Sequence, residues 1–206
     1  MKRTKSGSGW IQDRKNDEFM LRARKEGYRS RSSYKLIEIN EKYRLLKPGM
    51  TVVDLGAAPG GWTQVVLSQV GPFGRVISID ILDMEYLPGA TLLKGDFTTD
   101  EAFEELLGCL DGIGVDLVIS DMAPNLSGMK EIDQPRAMHL VELVYEFGKT
   151  TLKPGGHLLL KCFEGEGINQ LRQEFRNNFR HISNLKPKAS RPKSREVYLL
   201  GQKFLH

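Results

Sequence analysis

Long apolar runs are absent from this sequence, and cysteine is scarce. No apolar stretch approaches the ~20 residues that a bilayer-spanning helix needs, so we expect no membrane partner. The basic start, Met1–Gly7, lacks the apolar segment of a secretion signal, and we therefore expect a cytoplasmic protein. Cys109 and Cys162 show no metal-type spacing. We expect them to be buried thiols, and we expect no metal site.

The remaining composition is that of an ordinary globular protein. The chain has 206 residues, of which 40% are hydrophobic and 27% are charged. This length suits one domain, which could bury roughly 70% of its extended-chain surface. We expect a single domain over residues 31–206, preceded by a basic, partly mobile extension over residues 1–30. We also expect a monomer.

The net charge of +4 conceals a strong asymmetry along the chain. Residues 1–35 contain 11 Lys and Arg against 4 Asp and Glu, a net charge of +7. Residues 172–206 contain 9 against 2, again +7, which leaves −10 for residues 36–171. Two basic ends around an acidic centre suit a polyanionic partner such as RNA. The alternative is that these ends are only solvated tails.

The stretch Val52–Gln64 predicts a buried strand, a sharp turn of small residues and a helix. Such a unit begins a βαβ fold, and its turn is where nucleotide-like ligands bind. Gly56 and Gly60 would let the backbone approach a ligand closely. Asp80 ends the next strand, at the distance expected of an acid that binds ribose hydroxyls. A ligand with a ribose but no diphosphate, such as S-adenosylmethionine, fits; a tight turn in a flavodoxin-like protein is the alternative.

The segment Asp-Leu-Gly-Ala-Ala-Pro-Gly-Gly-Trp, residues 54–62, resembles the first motif of the FtsJ/RrmJ (RlmE) family of ribosomal RNA ribose 2′-O-methyltransferases. The likeness extends over nearly the whole chain. It implies a Rossmann-like α/β fold of the class I S-adenosylmethionine-dependent methyltransferases. That fold has a mostly parallel seven-stranded sheet, helices on both faces and an antiparallel last strand. The resemblance also implies cofactor contacts at Gly60, Trp62, Asp80, Asp96 and Asp121.

Two of these acids follow strand-like segments. Asp96 follows the third strand, where we expect it to accept a hydrogen bond from the adenine amino group; a turn-forming or capping aspartate is the alternative. Asp121 follows the buried strand Val115–Ser120, at the strand end where doubly wound sheets bind ligands. The loop Asp121–Pro124 lacks the aromatic residue that stacks the target base in amino-group methyltransferases. Its absence favours an oxygen target on the ribose.

Lys161 stands within the apolar strand His157–Phe163. Lysine is almost never fully buried without a partner, so packing does not explain this position. One interpretation is that the side chain extends from the strand end to water. The other is a functional lysine at the ligand crevice.

The family resemblance implies a catalytic tetrad of Lys35, Asp121, Lys161 and Glu196. An ordinary surface lysine and an exposed strand-end glutamate are the alternatives for Lys35 and Glu196. Within the tetrad, Lys161 is expected to act as the base that removes the proton of a ribose 2′-hydroxyl. The sequence leaves open that it stays charged and stabilises the alkoxide instead.

The resemblance further implies a uridine of 23S ribosomal RNA, within the 50S subunit, as the substrate. Relatives with the same tetrad modify tRNA, and no motif in this chain separates the two substrates. A non-catalytic ribosome-assembly factor and a small-molecule O-methyltransferase are alternatives from other classes. The complete tetrad argues against the first, and the basic ends argue against the second.

Two helices allow their boundaries to be predicted from local patterns. We expect a first helix from Asp13 to Lys25. Asp133 is expected to cap a later helix that has Pro135 in its first turn. In that later helix Leu140, Val144 and Phe147 are expected to face the core.

Overall fold

The fold is known from a computed structural model, which describes residues 17–125, 127–191 and 194–206. These residues form seven strands and six helices. The strands are β1 (Thr51–Leu55), β2 (Arg75–Asp80), β3 (Ala90–Lys94), β4 (Val115–Ser120), β5 (Leu152–Phe163), β6 (Phe179–Leu185) and β7 (Glu196–Phe204). The helices are α1 (Glu18–Glu26), α2 (Ser33–Tyr43), α3 (Gly61–Val70), α4 (Asp100–Leu110), α5 (Lys130–Thr151) and α6 (Ile168–Asn178).

The strands form one sheet in the order β3-β2-β1-β4-β5-β7-β6. Strands β1 to β5 pair in parallel, whereas β7 is antiparallel to both β5 and β6. The strand order reverses between β1 and β4, and this switch point creates a crevice at the carboxyl ends of the strands. The predicted fold, a mostly parallel seven-stranded sheet with an antiparallel last strand, is confirmed.

Helices cover both faces of the sheet because its central strands are apolar on both sides. Successive side chains of a strand point to opposite faces, and the neighbours Val52 and Val53 accordingly belong to different apolar clusters. Val52 packs with α2 and α3 on one face, and Val53 packs with α4 and α5 on the other. Every residue of β1 is buried, as expected for a central parallel strand.

Helix α1 docks the amino-terminal segment on the rest of the domain. It begins at Glu18, because Asp17 occupies the capping position and accepts a hydrogen bond from the Met20 N–H at 3.3 Å. The predicted start at Asp13 lies outside the described residues. Ala23 is 1% exposed and packs with Tyr34 and Ala189. Residues 17–30 of the predicted extension therefore pack against the domain. The boundary at residue 30 stays a prediction, and residues 1–16 lie outside the described part of the chain.

Helix α5 differs from its predicted start. It begins at Lys130, so Asp133 is inside the first turn and is not the capping residue. The Asp133 carboxylate instead accepts hydrogen bonds from the backbone N–H groups of Ser127 and Gly128, at 2.7 and 2.9 Å. A carboxylate near a helix start is also favoured by the helix dipole. Pro135 consequently lies beyond the first turn.

The apolar side of α5 contacts both the core and the crevice at the strand ends. Val144 and Phe147 are buried in the core as predicted, whereas Leu140 lines a cavity described below.

Of the helices that the structure describes, none is both long and apolar enough to cross a membrane.

Candidate active site

A cavity of about 700 Å³ opens at the carboxyl ends of β1, β2 and β4, and we call it the strand-end cavity. Its walls contain Gly56, Ala58, Asp80–Leu82, Gly95–Thr98, Asp121–Asn125, Arg136, His139 and Leu140. The volume falls within the ~300–1,000 Å³ typical of small-molecule sites. Asp80, Asp96 and Asp121, all predicted cofactor contacts, thus line one cavity.

The two glycines of the turn between β1 and α3 are required by packing within the protein. Gly56 has φ +75°, and a Cβ there would lie 2.0 Å from Met122 Cγ. Gly60 has φ +102°, and its Cβ would lie 3.0 Å from Leu87 Cδ1 and 3.1 Å from Arg29 Nη1. Of the two, Gly56 lines the cavity. The missing Cβ at Gly60 therefore makes room for neighbouring protein atoms, a reason that the sequence did not indicate.

Asp80 is fixed by two backbone donors at the cavity wall. Its Oδ2 accepts a hydrogen bond from the Ala58 N–H at 2.9 Å, and its Oδ1 accepts one from the Leu82 N–H at 2.9 Å. Each carboxylate oxygen can accept a further hydrogen bond. The side chain is therefore oriented before any ligand binds.

Asp96 combines the two roles considered for it from the sequence. Its Oδ1 accepts hydrogen bonds from the Thr98 hydroxyl at 2.7 Å and the Thr98 N–H at 2.9 Å, which stabilise the turn after β3. These two hydrogen bonds hold the pKa of Asp96 below its ordinary value. The residue also lines the strand-end cavity, so its carboxylate is available to a ligand in the ionised form.

Asp54 forms a buried polar network beneath the same turn. It is 1% exposed, and its carboxylate accepts a hydrogen bond from the Thr63 hydroxyl at 2.8 Å. The Thr63 hydroxyl also lies 3.0 Å from the Ser78 hydroxyl. Burial is the main cause that raises the pKa of Asp54 to about 7. In the sequence, Asp54 stands out only as the first residue of the motif at residues 54–62.

The four predicted catalytic residues lie in one connected cluster beside the cavity. Lys161 Nζ is 3.0 Å from Asp121 Oδ1 and donates a hydrogen bond to the Asp121 carbonyl. Lys35 Nζ lies 2.8 Å from Glu196 Oε1 and 3.8 Å from Asp121 Oδ1. The Lys161 side chain is only 9% exposed, so it does not extend to open solvent. Two lysines and two carboxylates thus alternate in this cluster, in the order Lys161, Asp121, Lys35 and Glu196. Asp121 itself lines the cavity.

Tyr198 joins this cluster and was missed in the sequence. Its hydroxyl donates to Asp121 Oδ1 at 2.5 Å and accepts from Lys35 Nζ at 2.8 Å. Burial and the neighbouring Asp121 and Glu196 carboxylates raise the pKa of Tyr198 well above its ordinary value. The phenol therefore stays protonated and bridges the two charged groups.

Glu196 is ionised in this environment. Burial opposes its charge, but the adjacent Lys35 ammonium, with its hydrogen bond, and the more distant Lys161 outweigh that effect and hold the pKa of Glu196 below its ordinary value. The backbone register places Glu196 at the first position of β7, opposite Phe163 at the end of β5. Glu196 therefore stands at the same sheet edge as Lys161.

The described parts of the two basic ends, residues 17–35 and 172–191, are connected next to this cluster. The Arg31 guanidinium donates a hydrogen bond to the Ala189 carbonyl, and the Lys188 N–H donates to Glu38 Oε2 at 2.8 Å. These contacts attach the loop before β7 to α2 and to the segment that precedes it. Since Lys35 is in α2 and Glu196 begins β7, these contacts lie beside the elements that carry two of the tetrad residues.

The chain matches the sequence model of the FtsJ-like methyltransferases over residues 28–204. It belongs to this family.

Named relatives agree with this assignment over the whole length. A ribosomal RNA large subunit methyltransferase E of Chromohalobacter salexigens is 53% identical over 201 residues, which are 98% of this chain and 96% of that protein. The protein of the same name from Cellvibrio japonicus is 49% identical over 205 residues, 100% of this chain and 97% of that protein. A solved structure from Plasmodium falciparum, provisionally assigned as a ribosomal RNA methyltransferase, aligns with a TM-score of 0.78 and 30% identity, covering 86% of this chain and 99% of that one.

As an FtsJ-like methyltransferase, the chain is an enzyme that requires a methyl donor. Two predicted donor contacts, Gly60 and Trp62, lie at the start of α3 and are not part of the cavity wall. The Trp62 indole N–H donates to the Ser32 carbonyl at 2.8 Å, and its ring centre lies 5.8 Å from that of Tyr198. Donor contacts by these two residues stay a prediction, as do the catalytic roles of the tetrad.

Among the described residues, no group of three or more potential metal ligands is arranged to hold an ion.

Proposed function

We propose that this enzyme methylates a ribose 2′-hydroxyl of RNA with S-adenosylmethionine as the donor, and that the target is a uridine of 23S ribosomal RNA in the 50S subunit. The observation that carries the proposal is the position of Asp121. This residue lines the strand-end cavity and also contacts Lys35, Lys161 and Tyr198. A donor in the cavity and a hydroxyl beside the lysines would therefore meet at one carboxylate.

The residues of the cavity fit S-adenosylmethionine. Asp80, with both oxygens oriented by backbone N–H groups, suits the two ribose hydroxyls. Asp96 suits the exocyclic amino group of adenine, because an ionised carboxylate accepts hydrogen bonds from such donors. Asp121 places a negative charge where a positively charged sulfonium would lie. The donor would supply an electrophilic methyl group.

The residues of the tetrad can hold and move the proton of the target hydroxyl. Methyl transfer forms a bond between the ribose 2′-oxygen and the methyl carbon while the bond from that carbon to sulfur breaks. The hydroxyl proton passes to Lys161 in its neutral form. Asp121 holds the Lys161 amine in place at 3.0 Å, and Glu196 holds Lys35 at 2.8 Å. Alignment of the hydroxyl with the methyl group contributes much of the rate acceleration.

The relatives' names and the charge distribution support an RNA substrate. Both close relatives are named as ribosomal RNA large subunit methyltransferases. The basic ends, which meet at the attachment of Arg31 and Lys188, would contact phosphates with little reading of base sequence. An enzyme of ribosome maturation would act in the cytoplasm, and we propose that it does so as a monomer.

A tritiated-methyl transfer assay tests the proposal. The acceptors are naked ribosomal RNA, 50S particles lacking the modification, and tRNA, followed by mapping of the labelled nucleotide. We expect label in the 50S particle at a 2′-O-methylated uridine. Transfer to tRNA alone would contradict the ribosomal substrate, and no transfer to any RNA would contradict the proposed reaction.

A further inference from the structure

Arg29 lies in the segment between α1 and α2, and its guanidinium points into the protein. Nη1 donates hydrogen bonds to the carbonyl oxygens of Pro59 at 3.2 Å and Glu85 at 2.8 Å. Nη2 donates to the Tyr86 carbonyl at 3.0 Å. The acceptors belong to two separate segments: the glycine-rich turn after β1, and residues 81–89 between β2 and β3, which we call the strap. One side chain therefore connects the turn to the strap.

The turn and the strap are neighbouring walls of the strand-end cavity. Ala58 of the turn and Leu82 of the strap both line it. Asp80 connects these two residues on the cavity side, because its carboxylate accepts hydrogen bonds from both of their N–H groups. Arg29 connects the same two segments from the outer side. The wall that would face the donor ribose is thus held by an acid within the cavity and a guanidinium behind it.

The backbone of Arg29 is itself fixed to α3. Its N–H donates to Gln64 Oε1 at 2.8 Å, and Gln64 Nε2 donates to the Gly27 carbonyl at 3.0 Å. Gly60 leaves space for the guanidinium, since a Cβ at that position would lie 3.1 Å from Arg29 Nη1. A planar guanidinium with an anchored backbone sets the distance between its acceptors more strictly than a flexible ammonium could.

These contacts distinguish Arg29 from the basic residues that suit RNA phosphates. Its side chain is only 18% exposed, and its terminal nitrogens are engaged by backbone carbonyls. The carboxylate of Glu85 is 3.8 Å away on a side chain that is 93% exposed, so this ion pair contributes little. Arg24 of α1, by contrast, is exposed.

We propose that Arg29 is a positioning residue of the methyl-donor site, holding the turn and the strap at the separation that the adenosine part of the donor requires. The inference rests on the proposed function, because it assigns the strand-end cavity to S-adenosylmethionine. Arg29 is then not part of the RNA-binding surface, although it lies in the basic amino-terminal region.

The test compares Arg29→Ala and Arg29→Lys with the wild-type enzyme. Calorimetry gives the Kd for S-adenosylmethionine, filter binding gives the Kd for RNA, and steady-state assays give KM for the donor and kcat. We expect Arg29→Ala to raise the donor Kd and KM about ten-fold or more. In the variant, donor binding must itself restore the separation of turn and strap that the hydrogen bonds of Arg29 hold in the wild type, and one charge-assisted hydrogen bond is worth roughly that factor. At saturating donor, kcat and RNA affinity should be unchanged. Arg29→Lys should bind the donor with intermediate affinity.

A second comparison separates donor binding from RNA binding. Arg24→Glu should weaken RNA binding and leave donor affinity unchanged, the reverse of the Arg29 variants. Wild-type donor affinity in Arg29→Ala would overturn the inference, as would a parallel loss of RNA affinity or of kcat at saturating donor. Should the alanine variant fail to fold in thermal melts, the lysine variant decides by the same criteria. Failure of the proposed function itself would appear in the wild-type enzyme, as no donor binding or no transfer to RNA.

Discussion

Replacing Lys161 with methionine tests the central chemical step with little change in packing. Lys161 lies in β5 between Leu160 and Cys162, which are both fully buried. Methionine keeps a long unbranched stem and removes the amine that contacts Asp121 at 3.0 Å. The variant thus deletes the proposed base while retaining a side-chain stem of similar length.

The expected effect on rate is large and the effect on stability is modest. A positioned general base contributes about 10²–10⁴-fold, so kcat should fall by that factor. This corresponds to about 3–5 kcal/mol in activation free energy. Asp121 keeps the Tyr198 hydroxyl and Lys35 as partners. The loss of stability should therefore be well below the ~3–5 kcal/mol associated with an uncompensated buried charge.

Single-turnover transfer of a tritiated methyl group, at saturating donor and RNA, measures this effect without interference from product release. Calorimetric titration with S-adenosylmethionine and a thermal melt serve as controls, and both should resemble the wild type. A folded Lys161→Met enzyme that retains a rate within about ten-fold of wild type would refute the assignment of Lys161 as the base.

Three further predictions concern neighbouring residues. Tyr198→Phe should reduce kcat only several-fold, because Lys35 and Asp121 keep their direct contact; single-turnover assays measure this, and a loss as large as that of Lys161→Met would contradict it. Charge reversal at Arg24 and Lys25 should weaken RNA binding and flatten its salt dependence without changing donor affinity; equal losses in both titrations would contradict an RNA-binding role. Burial raises the pKa of Asp54 to about 7, above its unfolded-state value near 4. Protonation of Asp54 therefore stabilises the folded state fully below about pH 4, and this contribution is lost as the pH rises to about 7. Asp54→Asn should therefore gain in unfolding free energy relative to wild type, by up to about 1.4 kcal/mol per pH unit over that interval, in urea titrations at several pH values. A difference that does not change with pH would show that Asp54 does not titrate there.

The fold and two members of the tetrad, Asp121 and Lys161, could be predicted because their signals are local. Strand and helix patterns alternate along the chain, and the acids Asp80, Asp96 and Asp121 lie at the ends of strands or within two residues after them. Carboxyl ends of parallel strands meet at one edge, so these acids had to lie close together. Lys161 was conspicuous as a charge within an apolar strand. Lys35 and Glu196 have no such signal, and only the family resemblance indicated them.

Tyr198 could not be found in this way because its role depends on strand register. It lies within the apolar run of β7, where an aromatic residue is expected in the core. The register pairs Tyr198 directly with Lys161 across β5 and β7, and this pairing brings its hydroxyl to Asp121. The pairing of β7 with β5 joins strands that are not consecutive in the chain, so no local pattern specifies it.

The role of Arg29 could likewise not be predicted from the net charge of its region. Counting lysines and arginines places it in a basic region, whereas its guanidinium contacts the turn and the strap behind the strand-end cavity. Whether an arginine meets a phosphate or a carbonyl depends on which segments fold around it. The strap and the turn that surround Arg29 lie 30 residues or more away in the sequence. Composition therefore indicated the partner class of the molecule but not the role of this residue.

Asp121 determines how the variants of the site must be interpreted. Its carboxylate lines the cavity and its Oδ1 atom contacts Lys161, Tyr198 and, at 3.8 Å, Lys35. Substitution of Asp121 should therefore lower both donor affinity and the rate of transfer, and its effect cannot be assigned to one step. Lys161 lies on the tetrad side alone and Arg29 on the donor side alone. Loss of kcat with normal donor affinity in Lys161→Met, and loss of donor affinity with normal kcat in Arg29→Ala, would together show that Asp121 joins two separable functions.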